Sequence, residues 1–324
     1  VDRNGKKTVI SSGWPGEFVG MAWSPGGDEV WYETGSIGGD ALHAASLSGK
    51  QRTLSQFPIR FRLLDVAADS RVLVSRAGWR SGIIGLPPGE KQEKDLSWLD
   101  SSEVDDITPD GKMLLITEWG EGGGADRWAV YLRKATGEPA VLLGEGQAFE
   151  FSPDGSRALT MRRGAPPQLV LLPTGAGEPI VLKNEGISDY RGANFLPDGK
   201  RVVFAGLEPG HGMRWYVQQI EGGKPRAISP EGTEFNLGTH VVSPDGEWVA
   251  AQDANNKTSI FPVKGEDSRV VPGIEPGEIV SRWSADGSSL YVLRNTELPV
   301  KVYRGELATG RREVWKEIQP ADPA

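Results

Sequence analysis

The 324-residue chain contains no cysteine. Disulfides, thiol nucleophiles and cysteine-ligated zinc or iron–sulfur centres are therefore excluded. Histidine is almost as scarce: His43, His211 and His240 are the only three, and none stands in a His-Glu-x-x-His zinc motif. Positive charge is in deficit, with 36 Lys and Arg against 44 Asp and Glu for a formal charge of −8. A chain of that sign lacks the basic footprint that nucleic acids and anionic membrane surfaces require. No run approaches the roughly 18 apolar residues of a membrane-spanning helix. The opening Val1-Asp2-Arg3-Asn4-Gly5-Lys6-Lys7 has no secretory-signal pattern, and a soluble segment is expected. The Gly-x-Ser-x-Gly elbow, the phosphate-binding P-loop and the kinase His-Arg-Asp and Asp-Phe-Gly motifs are also missing.

Glycine and proline are abundant instead, at 43 and 23 residues, above ordinary usage of roughly 7% and 5%. Both interrupt helices and build turns, so many short elements are expected. A hydrophobic content of 38%, with 11 Trp, suffices for a sizeable core. The turns recur. Ser24-Pro25-Gly26-Gly27, Thr108-Pro109-Asp110-Gly111, Ser152-Pro153-Asp154-Gly155, Leu196-Pro197-Asp198-Gly199, Ser243-Pro244-Asp245-Gly246 and Ser284-Ala285-Asp286-Gly287 share one pattern, with Ala67-Ala68-Asp69-Ser70 as a degenerate copy. Their second residues lie 41 to 47 positions apart along the chain, a repeat period. Pro presets the first turn angle, Asp bonds its own backbone and Gly takes the left-handed conformation.

Each turn follows a segment ending in an apolar residue, from Trp23 to Trp283, and precedes a β-rich run such as 113–116 or 202–204. A third run (130–132, 169–171, 215–217, 302–304), a second tight turn such as Thr136-Gly137 and a fourth run complete the unit. Four antiparallel strands in just over forty residues make the blade of a β-propeller. The expectation is an all-β, seven-bladed β-propeller of four-stranded antiparallel blades, a single domain over 1–324, with eight blades as the alternative. Asn4-Gly5-Lys6 followed by Thr8-Val9-Ile10 reads as an outer strand within 1–12. The chain is thus expected to begin inside a blade, this strand either closing the ring or ending a blade further upstream.

The Ser-Pro-Asp-Gly hairpins, each with its apolar strand, resemble the TolB-like, WD-type β-propeller repeat of bacteria from Trp14 to Ile318. Segments 120–125, 129–134, 168–179, Glu208-Pro209-Gly210-His211-Gly212 and Leu307-Ala308-Thr309-Gly310-Arg311-Arg312-Glu313 are similar to propellers attached to bacterial serine/threonine protein kinases. The resemblance implies an extracytoplasmic sensor or interaction domain, periplasmic or at the cell surface, of a larger signalling protein. Any phosphotransfer would belong to a part outside this sequence. Gly26 and the Ala67–Ser70 copy depart from the pattern in the first two blades.

A propeller sets its Pro-Asp-Gly turns on one face and its longer connections on the other, and loops on a rigid scaffold carry function. Aromatic residues beside Arg are the anchors that binding surfaces favour. On the loop face these are Trp14, Trp98, Glu118, Trp119, Tyr190, Arg191, His211, Arg214 and His240, expected to receive a protein, a peptide or a small molecule. Packing between blades is the competing role for the aromatic members. Two positions before each turn's opening residue stand Ala22, Asp65, Asp106, Glu150, Asn194, Val241 and Arg282. Equivalent register would place Asp65, Asp106 and Glu150 side by side, a carboxylate set suited to Ca²⁺. The plainer alternative is a hydrated, charge-lined channel in which they partner Arg62, Arg191 and Arg282.

The expected function is non-enzymatic binding with no cofactor. The alternative is a metal-dependent propeller enzyme, lactonase- or lyase-like, built on the three carboxylates.

Overall fold

The computed structural model describes residues 5, 7, 9–10, 17–36, 39–57, 61–76, 81–120, 123, 128–234, 240–253, 255–265, 267–296 and 298–319. They form antiparallel strands and turns without an α-helix, and no helix among them is long and apolar enough to cross a membrane. The outer strand expected within 1–12 and Trp14 fall largely outside the described residues.

The chain divides into two compact units, Val1–Ser81 with Gly120–Arg127, and Gly82–Trp119 with Trp128–Ala324. The first holds a meander of β1 (Glu17–Trp23), β2 (Glu29–Ser36), β3 (Gly39–Ser46) and β4 (Gln51–Phe57), then the hairpin β5 (Phe61–Val66) and β6 (Val72–Arg76). Leu42, Phe61 and Leu63 form its core. Buried carboxylates lock β5 onto the meander: Asp40 accepts the Phe61 N–H at 2.6 Å and Glu33 the Leu63 N–H at 2.8 Å. Gly20 allows this approach, since a Cβ there would stand 2.3 Å from the Leu63 carbonyl oxygen.

The second unit begins with the two-residue pair β7 (Ile84–Gly85) and β8 (Lys94–Asp95). Four-stranded sheets follow: β9 (Ser102–Ile107), β10 (Met113–Trp119), β11 (Trp128–Lys134) and β12 (Val141–Glu145); then β13 (Gln147–Phe151), β14 (Arg157–Arg162), β15 (Gln168–Pro173) and β16 (Ile180–Val181). Next come β17 (Asp189–Phe195), β18 (Arg201–Leu207), β19 (Arg214–Gln219) and β20 (Arg226–Ala227). A sheet of β21 (Trp248–Gln252), β22 (Thr258–Pro262) and β23 (Arg269–Val270) precedes the last one, β24 (Ile279–Trp283), β25 (Ser289–Leu293), β26 (Val300–Glu306) and β27 (Arg312–Ile318). The inner segment of the β21–β23 sheet survives as two bridges, Glu234 to Gln252 and Val242 to Val249, on either side of 235–239, which lie outside the described residues.

Cores lie between consecutive sheets, and strand alternation decides which core a side chain joins. Val202 and Phe204 of β18 meet Leu159, Leu171 and Tyr190 on one side; Val203 and Ala205 meet Val249 and Phe261 on the other. Leu114 and Ile116 divide from Leu115 in the same way. A strand covered on both faces has no polar side, so middle strands read as unbroken apolar runs. The outermost β16, β20 and β23 are only two residues long, which limits exposed edge pairing.

All seven repeat turns take one form. The fourth residue donates its N–H to the first residue's carbonyl, with φ between 64° at Gly199 and 72° at Gly27 and Gly246. Ser70 holds φ at 68° although it is not glycine, so the repeat overrides the preference of that residue. The opening hydroxyl of Ser24, Thr108, Ser152, Ser243 and Ser284 accepts the N–H five residues on at 2.9–3.0 Å. It donates to the turn Asp in the last four. In the first turn, where Gly26 replaces Asp, Asp28 accepts from Ser24 Oγ at 2.9 Å instead.

Candidate functional site

Inner strands carry a feature invisible in the repeat pattern. The register of β5, β9, β13 and β24 slips at Leu64, Asp105, Phe149 and Ser281. Each slip immediately precedes a charged residue, respectively Asp65, Asp106, Glu150 and Arg282. A bulge bends the strand and re-aims the side chain that follows.

In the second unit this brings Asp106 and Glu150 to either side of His240. The imidazole Nε2 lies 3.5 Å from Asp106 Oδ1, and Nδ1 lies 3.3 Å from Glu150 Oε2. Both carboxylates also brace the neighbouring sheet. Asp106 Oδ2 accepts the Phe151 N–H at 2.8 Å, and Oδ1 the Ile107 N–H at 2.7 Å. Glu150 Oε1 accepts the Phe195 N–H, and Oε2 accepts Asn194 Nδ2 at 2.8 Å. All four carboxylate oxygens therefore have donors or a cationic neighbour. Burial pushes the Asp106 and Glu150 carboxyls above their ordinary range, while their donors and His240 pull the other way. The bond to Glu150 raises the imidazole, with burial opposing. Behind the cluster, Asp105 accepts from Thr117 Oγ1 at 2.7 Å, and that hydroxyl accepts the Ala148 N–H at 2.9 Å. Burial holds Asp105 well above the carboxylate range.

The cluster borders a cavity of ≈ 680 Å³ that begins at the Pro-Asp-Gly ends of the inner strands, with Pro153, Pro197, Pro244 and Ala285 on its rim, and runs over the last sheet past Leu293 and Val302 to Trp315 and Ile318 of β27. Phe151, Phe195, Trp283 and Tyr291 contribute to its walls, and Glu150, Asn194, His240 and Arg282 are among its polar groups, with Ser243, Ser281 and Ser284. Trp283 is fixed by its indole N–H, which donates to the Val241 carbonyl at 2.8 Å.

Asp65, exposed in the first unit, receives the Val66 N–H at 2.8 Å. Among the described residues, no group of three or more His, Cys, Asp or Glu is arranged to hold a metal ion. The residues assigned to the long connections fall into three environments. Tyr190 is 3% exposed and meets Phe204 edge-on at 5.1 Å; Glu118 is fully buried, accepting the Ser102 hydroxyl and the Leu99 N–H. Neither presents a side chain to solvent. Trp119 stacks on Trp128 at 6.2 Å, and Trp98 lies beneath the buried Arg133 guanidinium at 5.4 Å. Arg191 pairs with Asp189 at 2.8 Å, while His211 and Arg214 both pair with Glu231. The Gly212 N–H, His211 and Arg214 together hold the Glu231 carboxyl down to about 2.

His240, assigned by sequence to the loop face, thus belongs to the inner-strand cluster. Val241 is 3% exposed, so strand alternation turns its predecessor to the opposite side. Reading 240–242 by alternation would have found it.

No family model and no curated protein matches the sequence. Solved structures do resemble the fold. A putative TolB from Agrobacterium tumefaciens is 19% identical with a TM-score of 0.50, over 74% of this chain and 91% of that one. An oligogalacturonate lyase in complex with manganese is 16% identical at a TM-score of 0.51, over 74% and 73%. A puromycin-hydrolyzing peptidase from Mycobacterium tuberculosis is 15% identical at 0.51, over 95% of this chain and 54% of the peptidase. The chain therefore spans little more than half of the peptidase. These likenesses are of fold, that of β-propeller proteins, TolB-like ones among them.

Proposed function

We propose that the chain is a non-enzymatic binding propeller, one seven-bladed ring over 1–324, whose ligand occupies the inner-strand cavity. The observation that carries this reading is the division of labour inside the cavity. Asp106 and Glu150 are committed to bracing neighbouring strands, whereas the aromatic walls remain free to receive a ligand. A concave, largely apolar pocket with a few placed polar groups is the usual form of a small-molecule or peptide site. Its sensor role in a larger bacterial signalling protein, outside the cytoplasm, rests on the resemblance to kinase-linked propellers. Screening fragments by thermal shift tests the reading. Hits should stabilise the wild type and lose their effect in Ala285→Trp, which blocks the rim at an exposed position; hits unaffected by it would contradict the site.

A metal-dependent enzyme is the second reading, favoured by the convergence of Asp106 and Glu150 on His240. It requires stoichiometric divalent metal in the purified protein and a thermal shift with added Ca²⁺ or Mn²⁺ that Glu150→Gln removes. Absence of both would eliminate it.

A further inference from the structure

We propose that the cavity selects a monoanionic ligand, an apolar body ending in one carboxylate, with Arg282 as the anchor. This rests on the binding reading above and adds the ligand's chemistry. Arg282 is exposed, lines the cavity and, among the described residues, has neither an ion-pair nor a hydrogen-bond partner. The other charged groups there satisfy one another: His240 lies between Asp106 and Glu150, and backbone N–H groups take their remaining oxygens.

The guanidinium is also positioned rather than loose at its root. Arg282 follows the bulge at Ser281, pairs with Tyr291 of β25 and bridges in parallel to His240, whose N–H donates to the Ser281 carbonyl at 3.2 Å. A planar guanidinium with free donors matches a carboxylate in bidentate geometry. Both carboxylates contact His240, while the Arg282 guanidinium acts on Asp106 only through space. A single negative charge can therefore take its donors directly, whereas the second charge of a dianion would meet the field of the two carboxylates. The adjoining Phe151, Trp283 and Tyr291 suit an apolar or aromatic body, and ≈ 680 Å³ admits one of drug or short-peptide size.

Such a carboxylate could end a free organic acid or a peptide chain, and two probe pairs separate the sources. Calorimetry would compare 4-phenylbutanoate with 4-phenylbutanamide, and a hydrophobic tetrapeptide bearing a free C-terminus with its amidated form. At least one acid should bind about tenfold or more tighter than its amide, the worth of a charge-assisted pair. Arg282→Gln should abolish that preference, bringing acid and amide to equal affinity, and Arg282→Lys should retain part of it. Since Arg282 makes no hydrogen bond or ion pair among the described residues and acts on Asp106 only through space, both variants should unfold close to the wild-type temperature. Equal binding of acid and amide, or a preference surviving in Arg282→Gln, overturns the carboxylate inference and leaves the cavity reading standing. If all four probes fail to bind while fragments stabilise the protein through the Ala285-sensitive site, the carboxylate inference alone falls. If those fragments fail as well, both fall.

Discussion

The imidazole of His240 lies 3.3 Å from the carboxylate of Glu150, 90 residues earlier in the chain. This contact joins two inner strands whose sheets are not neighbours in sequence. Because the folded-state pKa of His240 is raised, its protonated form is favoured by folding. The resulting stability is fully present below the unfolded value of about 6.5 and is lost as pH rises through the folded one. The thermal stability of the wild type should therefore fall as pH rises above about 6.5. His240→Gln should flatten that limb, and an unchanged slope would refute the assignment.

Glu150 is predicted to matter as an acceptor more than as a charge. Glu150→Gln retains an oxygen for the Phe195 N–H, whereas Glu150→Ala leaves that buried donor and Asn194 unmatched. The alanine variant should lose about 1–3 kcal/mol more than the glutamine variant in urea unfolding.

Ser70 gives the cleanest backbone test. It holds φ 68° where the other repeat turns have glycine, so Ser70→Gly should stabilise the first unit by about 1 kcal/mol. The reciprocal Gly199→Ser should destabilise the second unit by a similar amount, about 1 kcal/mol, since a Cβ there meets no neighbour and only the left-handed angle is penalised. Denaturant melts followed separately for the two units would check both.

Phe204 tests the sandwiched core. It is completely buried, edge-on to Tyr190 and stacked on Tyr216 at 5.5 Å. Phe204→Ala should cost about 3–5 kcal/mol, measurable as a lowered denaturation midpoint.

The repeat turns predict an acid limb. The Ser152 hydroxyl and the Ser156 N–H and hydroxyl hold the Asp154 carboxyl down to about 2. A lowered folded pKa contributes stability above the unfolded value of about 3.9, and that stability is lost as pH falls through the folded one. Asp154→Asn should make unfolding less steep between pH 4 and 2; an identical acid limb would exclude the turn as a contributor.

Turns and middle strands were legible in the sequence because they depend on local chemistry. Pro-Asp-Gly specifies a turn on its own, and runs such as 202–205 reveal two buried faces without knowledge of what covers them. The inner-strand site was legible only in part. Counting back from the turns identified Asp106 and Glu150, but position 241 stood where His240 was needed. The bulges at Asp105, Phe149 and Ser281 left no composition signal, since a register slip depends on pairing with the next strand. Glu118 and Tyr190 look like loop residues in the sequence because β10 and β17 extend further toward the long connections than their apolar runs suggest.

Ligand is expected to enter at the Pro-Asp-Gly ends rather than across the long connections. Nitrogen-edited NMR of the protein titrated with 4-phenylbutanoate measures this directly. Shifts are expected in the Trp283 indole N–H and in the backbone of Ser281, Arg282 and Ala285. Shifts confined to Trp119, Arg191, His211 and Arg214 would contradict it.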